Sequence, residues 1–189
     1  MIDLLKLRGV DALVDIRSQP YSRANPQFNR ETFRALLRDS GIAYLFLGQE
    51  LGARSEDPDC YLNGKVQYEC LAQTPLFRSG IERVIQGLGA NTVALMCAEK
   101  DPLTCHRSIL VCKRLVARGI SVAHILEDGR LENHEEAISR LLVELGLSEV
   151  DFFKNRAEII DEAYARRADQ IAYVLPTAVA HQDSREVSG

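Results

Sequence analysis

Two thiols, an imidazole, two carboxylates and a guanidinium fall within one stretch of the chain, CAEKDPLTCHRS at residues 97–108. Asp101-Pro102 or Thr104 supplies a helix start there. Arg107 and Ser108 then sit where free backbone amides and the positive end of a helix dipole can hold an anion. The same field, with His106 or Arg107 beside it, lowers the pKa of Cys105 toward a reactive thiolate. Cys97 and Cys105 are therefore the candidate nucleophiles, with His106 or Glu99 to move the proton.

Three chemistries compete for these residues. A thiol nucleophile is open, although the phosphatase spacing of Cys followed six residues later by Arg fails, since Leu103 and Val111 occupy those positions. Zinc is a second reading, with Cys97, Cys105, His106 and His124 as soft and imidazole ligands. The usual close cysteine pair is missing, so no metal is assigned. A Cys97–Cys105 redox pair is the third, without the Cys-x-x-Cys spacing that would mark one.

The remaining candidates come from other parts of the chain. Asp15, Arg17 and Ser18, then Arg23 and Asn25, follow one apolar run; Gln49, Glu50 and Gly52 follow another. Asp15, Arg17, Ser18, Arg23, Asn25, Glu50, Arg107 and Ser108 make the expected ligand-binding set, with Asp15–Arg17 equally readable as a structural ion pair. Arg34, Arg38, Arg114 and Arg118 read as solvated helix faces. Tyr21, Phe28 and Tyr61 read as loop anchors or stacking groups. His134 and His181 show no evident partner and read as surface residues.

What must position these groups is a run of alternating strands and helices. Val10–Ile16, Ile42–Leu47, Thr92–Cys97 and Ile120–Leu126 are short, apolar and partly β-branched, as buried strands are. Helical spacing recurs near residues 30–40, 66–73 and 76–88, then from the helix start in the 97–108 segment to Gly119, and again near 133–146 and 150–170. A long polar loop, from Gly48 through Gly64, lies between the second strand and the next helical stretch and is a functional candidate by its length. The alternation predicts an α/β fold: three-layer, with a mainly parallel sheet and helices on both faces. Ligands in such folds bind beyond the carboxyl ends of the strands, so the residues after each strand are expected to converge on one edge, His124 among them. Residues 1–130 are expected to form the core, 131–175 C-terminal helices packed on it, and 176–189 a flexible tail.

Composition narrows the classes of function. A net charge of −4 argues against a general coat for nucleic acid, which excess Lys and Arg would carry. The sign is uneven, however: residues 61–126 hold eight Lys or Arg against four Asp or Glu, whereas residues 127–170 hold six against twelve. A basic pocket in the core is compatible with the acidic total. Five cysteines without a secretory signal predict free thiols in a reducing compartment, and a cytoplasmic location. No apolar run is long enough to span a bilayer, so no membrane partner is expected.

The blocks DIRSQPYSRANPQFN at 15–29, GIAYLFLGQELGAR at 41–54, LMCAEKDPLTCHRS at 95–108 and VAHIL at 122–126 closely resemble the domain of unknown function 488 family. The resemblance covers about residues 5 to 130. It implies an α/β domain with a polar site built from Asp15, Arg17 and Ser18, from Asn25, Pro26 and Phe28, from Glu50 and Gly52, and from Cys97, Glu99, Cys105, His106 and Arg107. It implies no reaction. Members usually begin with a further short strand and a Gly-His-Ser-like turn, and this sequence starts inside the helix that follows, which points to a late start.

Together these readings favour an enzyme-like domain that takes a small anionic or nucleotide-like ligand at the strand ends. The alternatives are a non-catalytic module binding a nucleotide, nucleic acid or protein, and a redox or metal-sensing protein. The sequence names no cofactor and leaves the oligomeric state open.

Overall fold

The computed structural model describes residues 1–150 and 152–176. In chain order its regular elements begin with α1 (Ile2–Leu7), β1 (Ala12–Asp15), α2 (Arg30–Asp39), β2 (Ala43–Phe46) and α3 (Gly48–Leu51). Next come β3 (Tyr61–Leu62), β4 (Lys65–Val66), α4 (Tyr68–Gln73), α5 (Pro75–Leu88) and β5 (Val93–Met96). A π-helical stretch, Arg107–Cys112, runs into α6 (Lys113–Val116). The chain then forms β6 (Ala123–Ile125), β7 (Leu131–Asn133), α7 (His134–Glu144) and α8 (Arg156–Ile171). No helix among the described residues is long and apolar enough to cross a membrane.

A small parallel sheet organises the molecule, with β1 between β2 and β5. Leu13 pairs with Tyr44 and Ala94, and Val14 with Leu45 and Leu95. Because side chains alternate along a strand, these two rows point to opposite faces. Leu13, Tyr44 and Ala94 pack with Leu5 of α1 and with Phe33 and Leu37 of α2. Val14, Leu45 and Leu95 belong to the larger cluster, which takes in Phe77, Ile81 and Val84 of α5 and extends to Leu141 and Leu142 of α7 and Ile159 of α8. Mixed helix and strand around a parallel sheet is the α/β character that the alternation predicts.

Local chemistry sets the element ends. The Thr74 side chain accepts from the Phe77 amide at 3.2 Å and Pro75 opens α5, where a missing N–H costs nothing. Asn155 and Glu158 exchange side-chain and backbone hydrogen bonds of 3.1 and 2.7 Å at the start of α8, a capping box. Gly41, at φ +79°, turns the chain from α2 into β2.

Several expectations are corrected. The fourth strand, β6, is not in the parallel sheet; it pairs antiparallel with β7 across the Asp128-Gly129 turn. Its inclusion in a mainly parallel sheet fails because an Asp-Gly turn matches the twist of a two-stranded hairpin. The polar loop after β2 is structured: α3, a 3-10 turn at Pro58–Cys60 and the β3–β4 hairpin fill it. A Cβ on Gly48 there would fall on the Arg17 carbonyl oxygen and the Phe46 ring, so this turn requires glycine. The expectation of free cysteines also fails: Cys60 pairs with Cys70 and Cys97 with Cys105, leaving Cys112. The tail expected from 177 onward, with His181, lies outside the described residues.

Candidate functional site

The carboxyl ends of β1 and β5 carry two polar clusters, and the alternation of the strands assigns them to different faces of the sheet. Asp15 shares the parity of Leu13, and so faces α1 and α2. Ile16 and Cys97 belong to the opposite core.

On the first face, Asp15 is fully buried and Arg17 is 7% exposed. Arg17 reaches back to Asp15 through Nε at 2.9 Å and Nη2 at 2.6 Å, and Nη2 also donates to the Phe28 carbonyl at 2.9 Å. Tyr44 donates to Asp15 Oδ2 at 2.7 Å. Burial pulls the Arg17 pKa down, but the hydrogen bonds and charge of Asp15 overcome it, and the net shift is upward. Burial, then the bond to Asp15, pushes the Tyr44 phenol well above its ordinary value. These groups satisfy one another, so the geometry favours the structural ion pair over the ligand clamp. Tyr44 is the member that the sequence reading missed; its place beside Leu13 on an adjacent parallel strand was the available signal.

On the opposite face, Cys97 is 8% and Cys105 1% exposed. Their sulfurs and a carboxylate oxygen of the exposed Glu99 all lie within 4.8 Å of one another. His106 Nδ1 is 3.9 Å from Cys105 Sγ, while Nε2 sits 3.0 Å from the Ile16 carbonyl oxygen. That carbonyl ties this cluster to β1. Burial holds the His106 imidazole below its ordinary pKa, against the Ile16 carbonyl and Glu99, which pull upward. The shift favours the neutral imidazole, whose Nδ1 faces the sulfur of the Cys97–Cys105 bridge. The Arg107 amide donates to Cys105 Sγ at 3.2 Å.

Arg107 itself differs from Arg17. Among the described residues its partly buried guanidinium makes no hydrogen bond and no salt bridge. Burial lowers its pKa, while Cys112, Glu99 and Asp101 act in the opposite direction from a distance. Ser108, fully buried, also has no hydrogen-bond partner for its hydroxyl among the described residues. Cys112 is not a reactive thiol, because burial pushes it up to about 12 despite the Arg107 charge.

The other expected ligands do not join this cluster. Ser18 accepts from the Arg54 amide at 3.1 Å. Glu50 is ion-paired with Arg83 of α5. Arg23 and Asn25 are exposed in the loop before α2. His124, expected at the same edge, is instead buried in a chain with two other residues: its Nε2 is 3.0 Å from His134 Nδ1, and His134 Nε2 is 2.7 Å from the Tyr164 hydroxyl. His134 is therefore a core residue, 6% exposed, and not a surface one.

A cleft of about 540 Å³ lies alongside, lined by Lys100, Asp101, Leu126, Glu127, Glu132 and Arg140 among others. Its cations are already paired, Lys100 with Glu127 and Arg140 with Asp101 and Glu132. It offers no free positive charge comparable to Arg107.

No curated protein and no solved structure matches the chain. A family model does, over residues 1–113, a span that contains β1, β2, β5 and the whole Cys97–Arg107 segment. The chain belongs to the family described as Domain of unknown function DUF488.

Proposed function

We propose that this protein binds a small anion, a phosphate- or carboxylate-bearing molecule, at the end of β5 and acts on it with the adjacent sulfur and imidazole groups. One observation carries the reading: Arg107 keeps a partly buried guanidinium without a hydrogen-bond or salt-bridge partner among the described residues, next to Cys105 and His106. Withdrawing a cation from water without a counterion is costly, and an anionic ligand recovers that cost. Arg17, by contrast, spends its charge on Asp15. In the reduced protein, His106 Nδ1 is placed to accept the Cys105 proton, and the Arg107 amide supports the resulting charge. A nucleotide is one ligand of this chemistry, read through its phosphate.

The test is calorimetric titration of inorganic phosphate and of a nucleoside monophosphate into the wild type and Arg107→Gln. A hydrogen-bonded ionic contact is worth about 1.5–3 kcal/mol, so the variant should lose roughly 10- to 150-fold in affinity. Its thermal stability should stay at or above that of the wild type. Absence of saturable binding in the wild type, or equal affinity in the variant, removes Arg107 from the site and the reading with it.

A further inference from the structure

Cys97 Sγ, a Glu99 carboxylate oxygen and Cys105 Sγ form a group of potential ligands within 4.8 Å of one another. The imidazole beside Cys105 has a fixed orientation. His106 Nε2 lies 3.0 Å from the Ile16 carbonyl oxygen, which only accepts, so Nε2 carries the proton. The ring's lone pair is then on Nδ1, the atom 3.9 Å from Cys105 Sγ.

From this geometry we infer that, in the reduced protein, Cys97, Glu99 and Cys105 bind one thiophilic divalent cation of the zinc class, with the His106 imidazole beside Cys105. The Cα atoms of Cys97 and Cys105 are 7.3 Å apart. Disulfides usually span about 4.4–6.8 Å, so the backbone holds these two cysteines wider than a direct bridge wants, and an ion between the sulfurs lengthens the bridge by one atom.

Charge and access agree with this assignment. Two thiolates and one carboxylate leave a bound dication with one excess negative charge, and Arg107, without a salt-bridge partner among the described residues, is the neighbouring cation. Binding releases the two thiol protons, so affinity rises with pH. Both cysteines are too deeply buried to meet a bulky electrophile, whereas a single ion reaches them past the exposed Glu99. Glu99 is also the ligand that a solvent molecule or anion can displace. His124 is not a ligand, because its imidazole is engaged with His134.

Cobalt(II) reads the site directly. Metal-free protein, reduced with a phosphine, is titrated with Co²⁺ and then Zn²⁺. One equivalent of Co²⁺ should give thiolate-to-cobalt charge transfer and the intense visible bands of a tetrahedral centre, and Zn²⁺ should bleach them. Cys97→Ser and Cys105→Ser should each weaken binding by more than about 100-fold, since even the outer partners of a metal site are worth about 10- to 100-fold. The double variant Cys60→Ser/Cys70→Ser should keep the full spectrum. A reduced wild type without these bands overturns the assignment whether or not the variants fold; so do bands that persist in the Cys97→Ser/Cys105→Ser double variant. The inference does not rest on the anion reading: a cobalt spectrum without phosphate binding, or phosphate binding without a cobalt spectrum, separates the two.

Discussion

Tyr44 donates its hydroxyl proton to Asp15 Oδ2 at 2.7 Å, and the same oxygen receives Arg17 Nη2 at 2.6 Å. One buried carboxylate thus holds a side chain from the neighbouring strand and one from the turn beyond its own.

Asp15→Ala should destabilise the protein by about 3–5 kcal/mol, because it leaves the Arg17 charge buried and uncompensated. Tyr44→Phe removes one hydrogen bond to a charged group and should cost about 1.5–3 kcal/mol. Urea unfolding of both variants checks the order. A Tyr44→Phe loss equal to or above that of Asp15→Ala would show that the ion pair is not the centre of the cluster. Phosphate affinity should be unchanged in Tyr44→Phe, since this cluster faces the opposite side of the sheet from Cys97.

Stability should fall as the pH is lowered from 7 to 5. Burial, then the neighbouring His134 and Arg107 charges, pushes His124 down to about 4, and burial also lowers His134. An unfolded chain takes up these protons near pH 6.5, and the folded chain refuses them until lower pH. The stabilisation is therefore complete above about 6.5 and is lost progressively toward 4, on the order of 2–3 kcal/mol for His124 alone. Glu132 faces His124 and opposes the shift, while Arg140 reinforces it. Urea midpoints at pH 7, 6 and 5 measure the slope, and His124→Asn should flatten it. A midpoint independent of pH in this window would contradict the neutral, buried pair.

The Cys60–Cys70 disulfide closes a short loop, with ten residues of sequence separation. Loop-closure entropy for that length corresponds to about 2.5–3 kcal/mol. Cys70→Ser should lower stability by that amount under non-reducing conditions. Adding a phosphine should lower the wild type by about that much more than the variant, in which Cys97–Cys105 is the bridge left to reduce; equal stability of the two before reduction would mean that the Cys60–Cys70 bridge constrains nothing.

The parallel strands were legible because Val14, Ile16, Leu45 and Leu95 are apolar and lie in short runs bounded by turns. The sulfur cluster was legible as a stretch of reactive residues, and Cys97, Glu99, Cys105 and His106 do come together. What the sequence could not separate was the two faces. Asp15 ends one strand and Cys97 follows another, yet they differ in parity once the register of β1 against β5 is fixed, and no linear pattern contains that register. His134 was misread for a related reason: it opens a helix among acidic residues, and the Tyr164 that receives it is 30 positions away. The Cys60–Cys70 pairing depends likewise on how the β3–β4 hairpin folds back to α4.

The π-helical stretch Arg107–Cys112 sets the angular phase between the reactive segment and the helix that carries it. A π turn accommodates about one residue more than an α turn, equivalent to roughly 100° of rotation about the axis. Ile109, Cys112 and Leu115 stay locked to the core on one side of that wedge, while Cys105 and His106 are aimed at the ends of β5 and β1 on the other. Deleting a single residue within it would preserve every side chain of the cluster and still turn them away from one another. Spacing along the chain, as much as residue identity, is therefore part of what encodes this site.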